Sequence, residues 1–576
     1  MPDPKRCDHR GRHTRARRHR LDRREQARAR GRLVIAAWVF RLALQRFRTA
    51  CGDPLAAQAA QLRRILRAAA RSEFGVRHQF TRIARLGDPR EMIRAFQTAV
   101  PVRSYKEMRD DLDAVYAGRW EMLCPSRPLR FAMTAGSTGH YKYIPVTREY
   151  HREVGRSAMI FNGALEACFP ATRSLKTQFL VGSAEGGRSP AGIPQGFASG
   201  FNYQNLPRFV RRRFVAPYWI FTIDDPDERA YAAGRILMAE PRLGVLSAIS
   251  PVNLINLRQA LDRNAERLIA DVAGGTLTTR GSAAVAGAWS SRRDPRRARA
   301  LDDAWRTNGT LPTSQLFPEL RVLVSWQGGN MSYYLDDARR AFGIDQTFEF
   351  PISASEGVFA IPLHGNRPGG ALAVTSHFLE FISEGGGTPL RADELELGRE
   401  YRIVVTNGGG LYRYDMEDIV RVTSSFRATP VIEFVSKQDR QISVSNERLT
   451  ELDVTRAMQE ASRERPRRFP EFLFVPCSDR RYRVVLDAAA WPGDDLTTFA
   501  QAIERELREA AKGYDFERED ALLSPLQLIV TAPDELRNWL RRREQDALPN
   551  AQIKPLHLTN EFNAHQAFTA VATYAA

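Results

Sequence analysis

Apolar positions along this chain follow three different rhythms. Residues 1–32 carry almost no large apolar side chain and cannot build a core. They run into LVIAAWVFRLAL (33–44), eight apolar residues followed by Arg41, too short and interrupted to span a membrane. A basic flank before an apolar run suits a signal peptide, yet no convincing small-residue cleavage site follows. The run is read as an amphipathic first helix docked on the body of the protein. LAAQAAQLRRILRAAARSE (55–73) repeats apolar residues at helical spacing, with Gly75 as the expected stop.

From about residue 129 to 435 the rhythm alternates. Strand-like runs such as FLVG, LRVLVSW, FEFPISA, HFLEFIS and YRIVVTN are separated by helical or loop segments. Strands alternating with helices predict a layered α/β core of largely parallel type. Beyond residue 436 a smaller α/β unit is expected: a helix (452–463), strands FLFVP and YRVVLDA, a long helix (493–512) and strand LQLIVTA. The short polar segment SKQDRQISVSNER (436–448) suits a hinge between the two. The expected organisation is a basic arm and leading helix (1–54), a large domain (55–435) and a small C-terminal domain (436–576).

Charge changes the picture at one end. The net charge is +18, and residues 1–32 hold thirteen Lys or Arg against four Asp or Glu, 13 − 4 = +9, half the excess. Such an arm could meet nucleic acid or an anionic membrane, but without aromatic residues for base stacking a solvated tail is favoured. The Arg- and Asp-rich stretch 291–303 reads as solvated surface; it needs no phosphate. Five cysteines (Cys7, Cys51, Cys124, Cys168, Cys477) are scattered and never in CxxC spacing, which argues against disulfides or structural zinc and for a reducing cytoplasm.

Candidate chemistry centres on Thr134-Ala135-Gly136-Ser137-Thr138-Gly139-His140-Tyr141-Lys142. Its glycines are too close together for a Walker loop and wrongly spaced for a dinucleotide turn. Backbone N–H groups freed to converge at Gly136 and Gly139, hydroxyls of Ser137 and Thr138 and the charge of Lys142 still suit phosphate. Read alone, it is at least as well described as a surface turn. ISASEGVFAIP (352–362) adds Ser355 and Glu356 at a strand end, and GGGLYRYDMEDIVRV (408–422) adds an Asp-rich turn with Asp418. Together they supply the parts of an ATP site: phosphate cradle, Mg2+ carboxylate and ribose acceptor.

These pieces resemble the adenylate-forming superfamily, and within it the plant auxin-responsive (Gretchen Hagen three) acyl-acid amido synthetases and their bacterial relatives. QLRRILRAAARSEFGVRHQF (61–80), VPVRSYKEMRDDLDAVYAG (100–118), HFLEFIS (377–383), LYRYDMEDIVRVT (411–423), FVSKQDRQISVSNERLTE (434–451) and NAQIKPLHL (550–558) follow that family's order. The resemblance implies a large multi-sheet α/β domain binding ATP, Mg2+ and a carboxylic acid, with a small mobile domain behind it. Thr134 to Gly139 with Lys142 would wrap the β- and γ-phosphates, Ser355 and Glu356 would form the second motif with Glu356 on Mg2+, and Asp418 would take the ribose hydroxyls. Gly328 and Gly329 fall where the family lines its adenine and acyl pocket, beside Trp326; Lys437 lies in the hinge, and Lys554 matches the catalytic lysine. Here Asp415-Met416-Glu417 stands where the family usually has Arg-Val-Gly, and the hinge reads Ser-Lys-Gln-Asp where Arg-Arg-Lys-Asn is commoner. The implied reaction is acyl-adenylate formation followed by amide formation with an amine, most plausibly an amino acid. A thiol acceptor such as coenzyme A, or a non-catalytic relative tethered by the arm, are the rival readings.

Overall fold

The structure, a computed structural model, describes residues 36–135, 141–279, 289–438, 441–463, 471–487, 496–547 and 555–576. The basic segment 1–32 lies outside them. Residues 36–50 form a helix whose Ala36, Phe40, Leu44 and Phe47 are buried at spacings that share one face, while Trp38 on the outer face is 64% exposed. From Ala36 onward the apolar run is therefore an amphipathic, docked helix. Among the described residues no helix is long and apolar enough to cross a membrane.

Helix Pro54–Ala69 begins at Asp53, whose carboxylate accepts the Ala56 N–H. Gly75 does not stop it as expected. It sits inside a second short helix, Glu73–Arg77, where a Cβ would lie 2.1 Å from the Ala69 carbonyl oxygen. Close approach at a corner, rather than helix termination, demands that glycine.

Two large sheets follow, and they are built differently. Lys176–Phe179, Leu243–Ser247, Val322–Ser325 and Thr347–Glu349 form a four-stranded sheet in that order, every pair parallel. Helices Pro226–Met238, Pro251–Arg263 and Pro295–Asn308 occupy its connections, as the alternating rhythm predicts. The second sheet has seven strands in the order Phe378–Ser383, Glu400–Thr406, Tyr414–Phe426, Thr429–Lys437, Gly370–Leu372, Gly357–Ile361, Ile352–Ala354. All its neighbours are antiparallel. This corrects the expectation of a largely parallel core. From residue 352 to 437 no α-helix intervenes, and parallel neighbours need a long crossover. A small sheet, Tyr141–Val146, Arg130–Ala135 and Gln195–Gly196, stands beside them.

The Arg- and Asp-rich stretch enters helix Pro295–Asn308 through an Asp294 cap, and Arg297 donates to the carbonyls of Met238, Gln315 and Leu316. It staples surface to body. Past Gln441 the chain builds its own four-stranded sheet, Phe472–Cys477, Arg481–Asp487, Gln527–Thr531 and Ala570–Ala575. Helices Glu451–Ala461 and Leu496–Ala510 cover it close to their expected places. The last strand escaped prediction because AVATYA offers mostly small side chains. Its core of Val454, Met458, Phe472, Val484, Phe499 and Leu528 also takes in Tyr333 and Tyr334 from helix Ser332–Phe342.

Candidate active site

The two strands that flank the glycine segment form an antiparallel ladder. Arg130–Ala135 pairs with Tyr141–Val146, with Thr134 opposite Lys142. Gly136, Ser137, Thr138 and Gly139 lie outside the described residues, as does the side chain of Thr134. Lys142 extends over the Tyr105 ring, its Nζ 5.1 Å from the centroid. The second strand ends at Thr147, which caps helix Arg148–Cys168 by accepting the Tyr150 N–H and donates to the Gly408 carbonyl at 2.6 Å. The hairpin is thereby bolted to the helix and to the loop ahead of the Asp-rich turn.

Ser355 and Glu356 form a two-residue turn joining strands Ile352–Ala354 and Gly357–Ile361, in which Ala354 pairs with Gly357. The turn lifts Glu356 toward the lysines. Burial pushes its carboxyl above the usual glutamate range; Lys437 and then Lys142 pull it back, and Asp418 pushes it up again. Two cations and two carboxylates thus act on one spot.

Asp418 is delivered by an irregularity in strand Tyr414–Phe426. Val404 pairs with Asp415 but Arg402 pairs with Ile419, so Met416, Glu417 and Asp418 bulge opposite a single residue. Glu417 takes φ +58° at the place where the family's glycine would stand. A left-handed non-glycine residue costs roughly 1–2 kcal/mol, which gives the missing glycine a physical meaning. Of the two additional carboxylates, Asp415 is turned to Arg402 at 2.9 Å and accepts the Glu417 N–H, whereas Glu417 lines the cleft. Lys437 lies across the ladder from Asp418, its Nζ 2.6 Å from Oδ1.

These groups line one side of a cleft of about 2500 Å³. The opposite side is the carboxyl end of the parallel sheet, where open α/β sheets accept ligands. Phe179 stacks on Phe350 at 5.1 Å between centroids, with Phe161 5.9 Å from Phe350. Trp326 lines this wall and its Nε1 donates to the Pro351 carbonyl at 3.1 Å. Gly328 also lines the cleft. Gly329 (φ +60°) packs instead against Phe434, whose Cδ1 would sit 3.3 Å from an added Cβ. Glu349, unremarked in sequence, lies buried under the wall and receives the Gln327 N–H on both oxygens at 3.1 Å; burial pushes its carboxyl well above the usual range.

Lys554 lies outside the described residues. The residues directly after it, Pro555 to Leu558, line the cleft from the C-terminal side. His557 anchors them: it stacks on Phe472 at 4.0 Å, meets the Tyr334 hydroxyl at 2.8 Å, and donates its backbone N–H to Glu451 at 2.9 Å. Burial depresses its imidazole below the usual histidine range, against the opposing pull of Glu451.

Among the described residues no three acidic, His or Cys side chains converge to hold a metal unaided. Glu356 offers the single carboxylate that Mg2+ can take when phosphate oxygens and water complete its shell, so the donor fits a nucleotide-borne Mg2+.

Three family models match in succession: the GH3 family N-terminal domain over residues 43–347, the central domain over 370–437 and the C-terminal domain over 452–563. Similar curated proteins include the jasmonoyl–L-amino acid synthetase JAR4 of Nicotiana attenuata, 22% identical over 64% of this chain and 68% of its own length. The indole-3-acetic acid-amido synthetase GH3.2 of Arabidopsis thaliana is 23% identical over 64% of this chain and 73% of its own. The structure of AtGH3.15 acyl acid amido synthetase in complex with 2,4-DB superposes with a TM-score of 0.80 at 16% identity, covering 93% of this chain and 97% of that one. With its N-terminal, central and C-terminal models met in order from residue 43 to residue 563, the chain belongs to the GH3 family.

Proposed function

We propose that the chain is an ATP-dependent acyl-acid amido synthetase. The observation that carries this reading is the gathering of Lys142, Glu356, Asp418 and Lys437 on one side of a cleft whose other side is aromatic. In the first step a carboxylate oxygen attacks the α-phosphorus of ATP, and the bond to the bridging oxygen breaks with loss of pyrophosphate. In the second, an amine nitrogen attacks the acyl carbon, loses its proton, and AMP departs. The relative named a jasmonoyl–L-amino acid synthetase supports an amino acid as the amine, and the one named an indole-3-acetic acid-amido synthetase supports amide formation.

Residues 134–139 with Lys142 would cradle the β- and γ-phosphates, with Ser355 beside them, and Asp418 would accept from the ribose once Lys437 yields it. Trp326 and Gly328 would bound the adenine and acyl region, with Gly329 behind them against Phe434. Glu356 would hold Mg2+, which when bound neutralises phosphate charge. The unit from residue 436 would close over the large domain (55–435), turning at Lys437 and bringing Lys554 to the developing phosphoryl charge, where a desolvated ammonium acts most strongly. A reducing, cytoplasmic setting suits the free thiols of Cys51, Cys124, Cys168 and Cys477.

The test is acid-dependent exchange of labelled pyrophosphate into ATP across aryl, indole and aliphatic acids, followed by mass detection of the amide with an amino acid panel. Exchange specific to one acid class, followed by an amide, is the expected result. Exchange that yields a thioester with coenzyme A and no amide would overturn the second step. A protein that neither exchanges nor binds Mg·ATP by calorimetry would overturn the whole reading.

A further inference from the structure

The Ser355–Glu356 turn is held from beneath by two side chains that lie far from it in sequence. The Tyr150 hydroxyl donates to the Ser355 carbonyl at 2.6 Å, and Asn407 Nδ2 donates to the Glu356 carbonyl at 2.7 Å. Both are buried, Tyr150 at 4% and Asn407 at 0% exposure. Asn407 is itself fixed, because its Oδ1 accepts the Gly409 N–H at 2.8 Å. The Tyr150 ring stacks on the His377 imidazole at 5.7 Å and 14°. His377 Nδ1 lies 2.8 Å from Glu153, whose same oxygen accepts the Gly408 N–H at 3.0 Å. That imidazole closes the third side: a Cβ on Gly357 would meet its Cδ2 at 2.8 Å.

The peptide planes of a two-residue turn set the direction of the Cα–Cβ bonds it carries. Pinning both carbonyls therefore aims the Glu356 carboxylate. Tyr150 stands three residues beyond Thr147, at the end of the strand that bears Lys142. The same helix thus registers the phosphate hairpin and the carboxylate turn against each other. Tyr150 lies in none of the motifs, and Asn407 and His377 fall in runs legible only as strands, with nothing in the sequence to tie them to this turn.

We propose that Tyr150 and Asn407 are positioning residues for the nucleotide, holding Glu356 in register with Lys142 so that one carboxylate meets the Mg·ATP phosphates. This rests on the amido synthetase reading of the cleft. A purely structural role predicts something different: a buried tyrosine hydroxyl satisfied by any acceptor, whose loss costs stability alone.

Tyr150→Phe separates the two, because it removes one donor and keeps the ring stack. Tyr412→Phe is the matched control: its fully buried hydroxyl donates to the Leu123 carbonyl at 2.6 Å, away from the turn. In pyrophosphate exchange, Tyr150→Phe should raise KM for Mg·ATP and the Mg2+ concentration for half-activation by about tenfold, as the loss of one hydrogen bond allows. KM for the acid should stay within about twofold, and Tyr412→Phe should match the parent in KM while losing a similar amount of melting temperature. Asn407→Asp, which keeps the acceptor and loses the donor, should move KM for Mg·ATP in the same direction. If Tyr150→Phe melts earlier but keeps the parent KM and Kd for Mg·ATP, the positioning role is overturned. Should no acid in the panel support exchange, calorimetric Kd for Mg·ATP gives the same comparison. Parent protein that fails to bind Mg·ATP overturns the function reading and this one with it, whereas parent binding with an unaltered Tyr150→Phe overturns only this one.

Discussion

The two sides of the cleft are made by different means. On the antiparallel side, Lys142, Glu356 and Asp418 stand on a hairpin, a two-residue turn and a bulge, each a place where backbone geometry departs from a plain ladder. On the parallel side, Phe179, Phe350 and Trp326 stand where ordinary buried strands end. Charge has to be held at a defined point and costs dearly when unpaired, so its side needs backbone devices and hydrogen-bonded support. Apolar contact is non-directional and tolerates approximate placement, so its side needs only shape. The polar side should therefore govern nucleotide and rate, and the aromatic side should govern choice of acid.

The sharpest break is Lys142→Ala, with Lys554→Ala beside it. Each should lower exchange by on the order of a hundredfold, as the loss of a transition-state charge commonly does, without changing which acid is preferred. A change of acid preference in Lys142→Ala would blur the division. From the other side, Phe350→Ala should raise KM for the acid by roughly tenfold to a hundredfold through lost apolar burial. KM for Mg·ATP should stay near the parent value; equal rises in both would show that the two sides do not act separately.

Glu417→Gly tests the bulge. It relieves a left-handed non-glycine residue at φ +58° and removes a carboxylate from the cleft. Stability should rise by about 1 kcal/mol in denaturant titration, and KM for Mg·ATP should fall a few-fold. A loss of stability would mean that Glu417 is supported by contacts worth more than its strain.

The smallest effect is in pH. Burial raises Glu356 above its free value of 4.5, so it retains its proton to a higher pH than an exposed glutamate. Since the carboxylate is the form that serves the nucleotide, kcat/KM for Mg·ATP should fall on acidification with a limb above the usual glutamate range. Ionisation of such a group costs stability: the cost is absent below the unfolded value and complete above the folded one. Glu356→Gln should accordingly be more stable than the parent above that window and equal to it below. A limb at the ordinary glutamate position would show that Lys437 and Lys142 cancel the burial.

Much of the polar side was legible before any coordinates. Glycines and hydroxyls at turns mark Glu356, Asp418 and Lys142 as candidates, because turns demand particular residue types at particular positions, while their separate roles are what the family resemblance implies. The departure at Glu417 was legible too, although its left-handed conformation and its exposure to the cleft were not. Phe161, Phe179 and Trp326 could not be told from core, since burial and pocket lining draw on the same side chains. Asn407, His377 and Glu349 fall in runs legible as strands (YRIVVTN, HFLEFIS and FEFPISA), but nothing in the sequence ties them or Tyr150 to the cleft. Their partners lie tens to hundreds of residues away, as with Tyr150 and Ser355, separated by 205 positions.

Sequence alone determined the local elements of this protein, its helices and caps, most of its strands, the turns that carry charge and the order of its parts, since each depends on neighbours a few residues apart. Tertiary structure alone decided that the sheet from residue 352 to 437 is antiparallel, that Lys437 lies on Asp418, and that Tyr150 and Asn407 hold the Glu356 turn. Those arrangements depend on which distant surfaces bury each other, and the free energy of that choice belongs to the whole fold rather than to any segment.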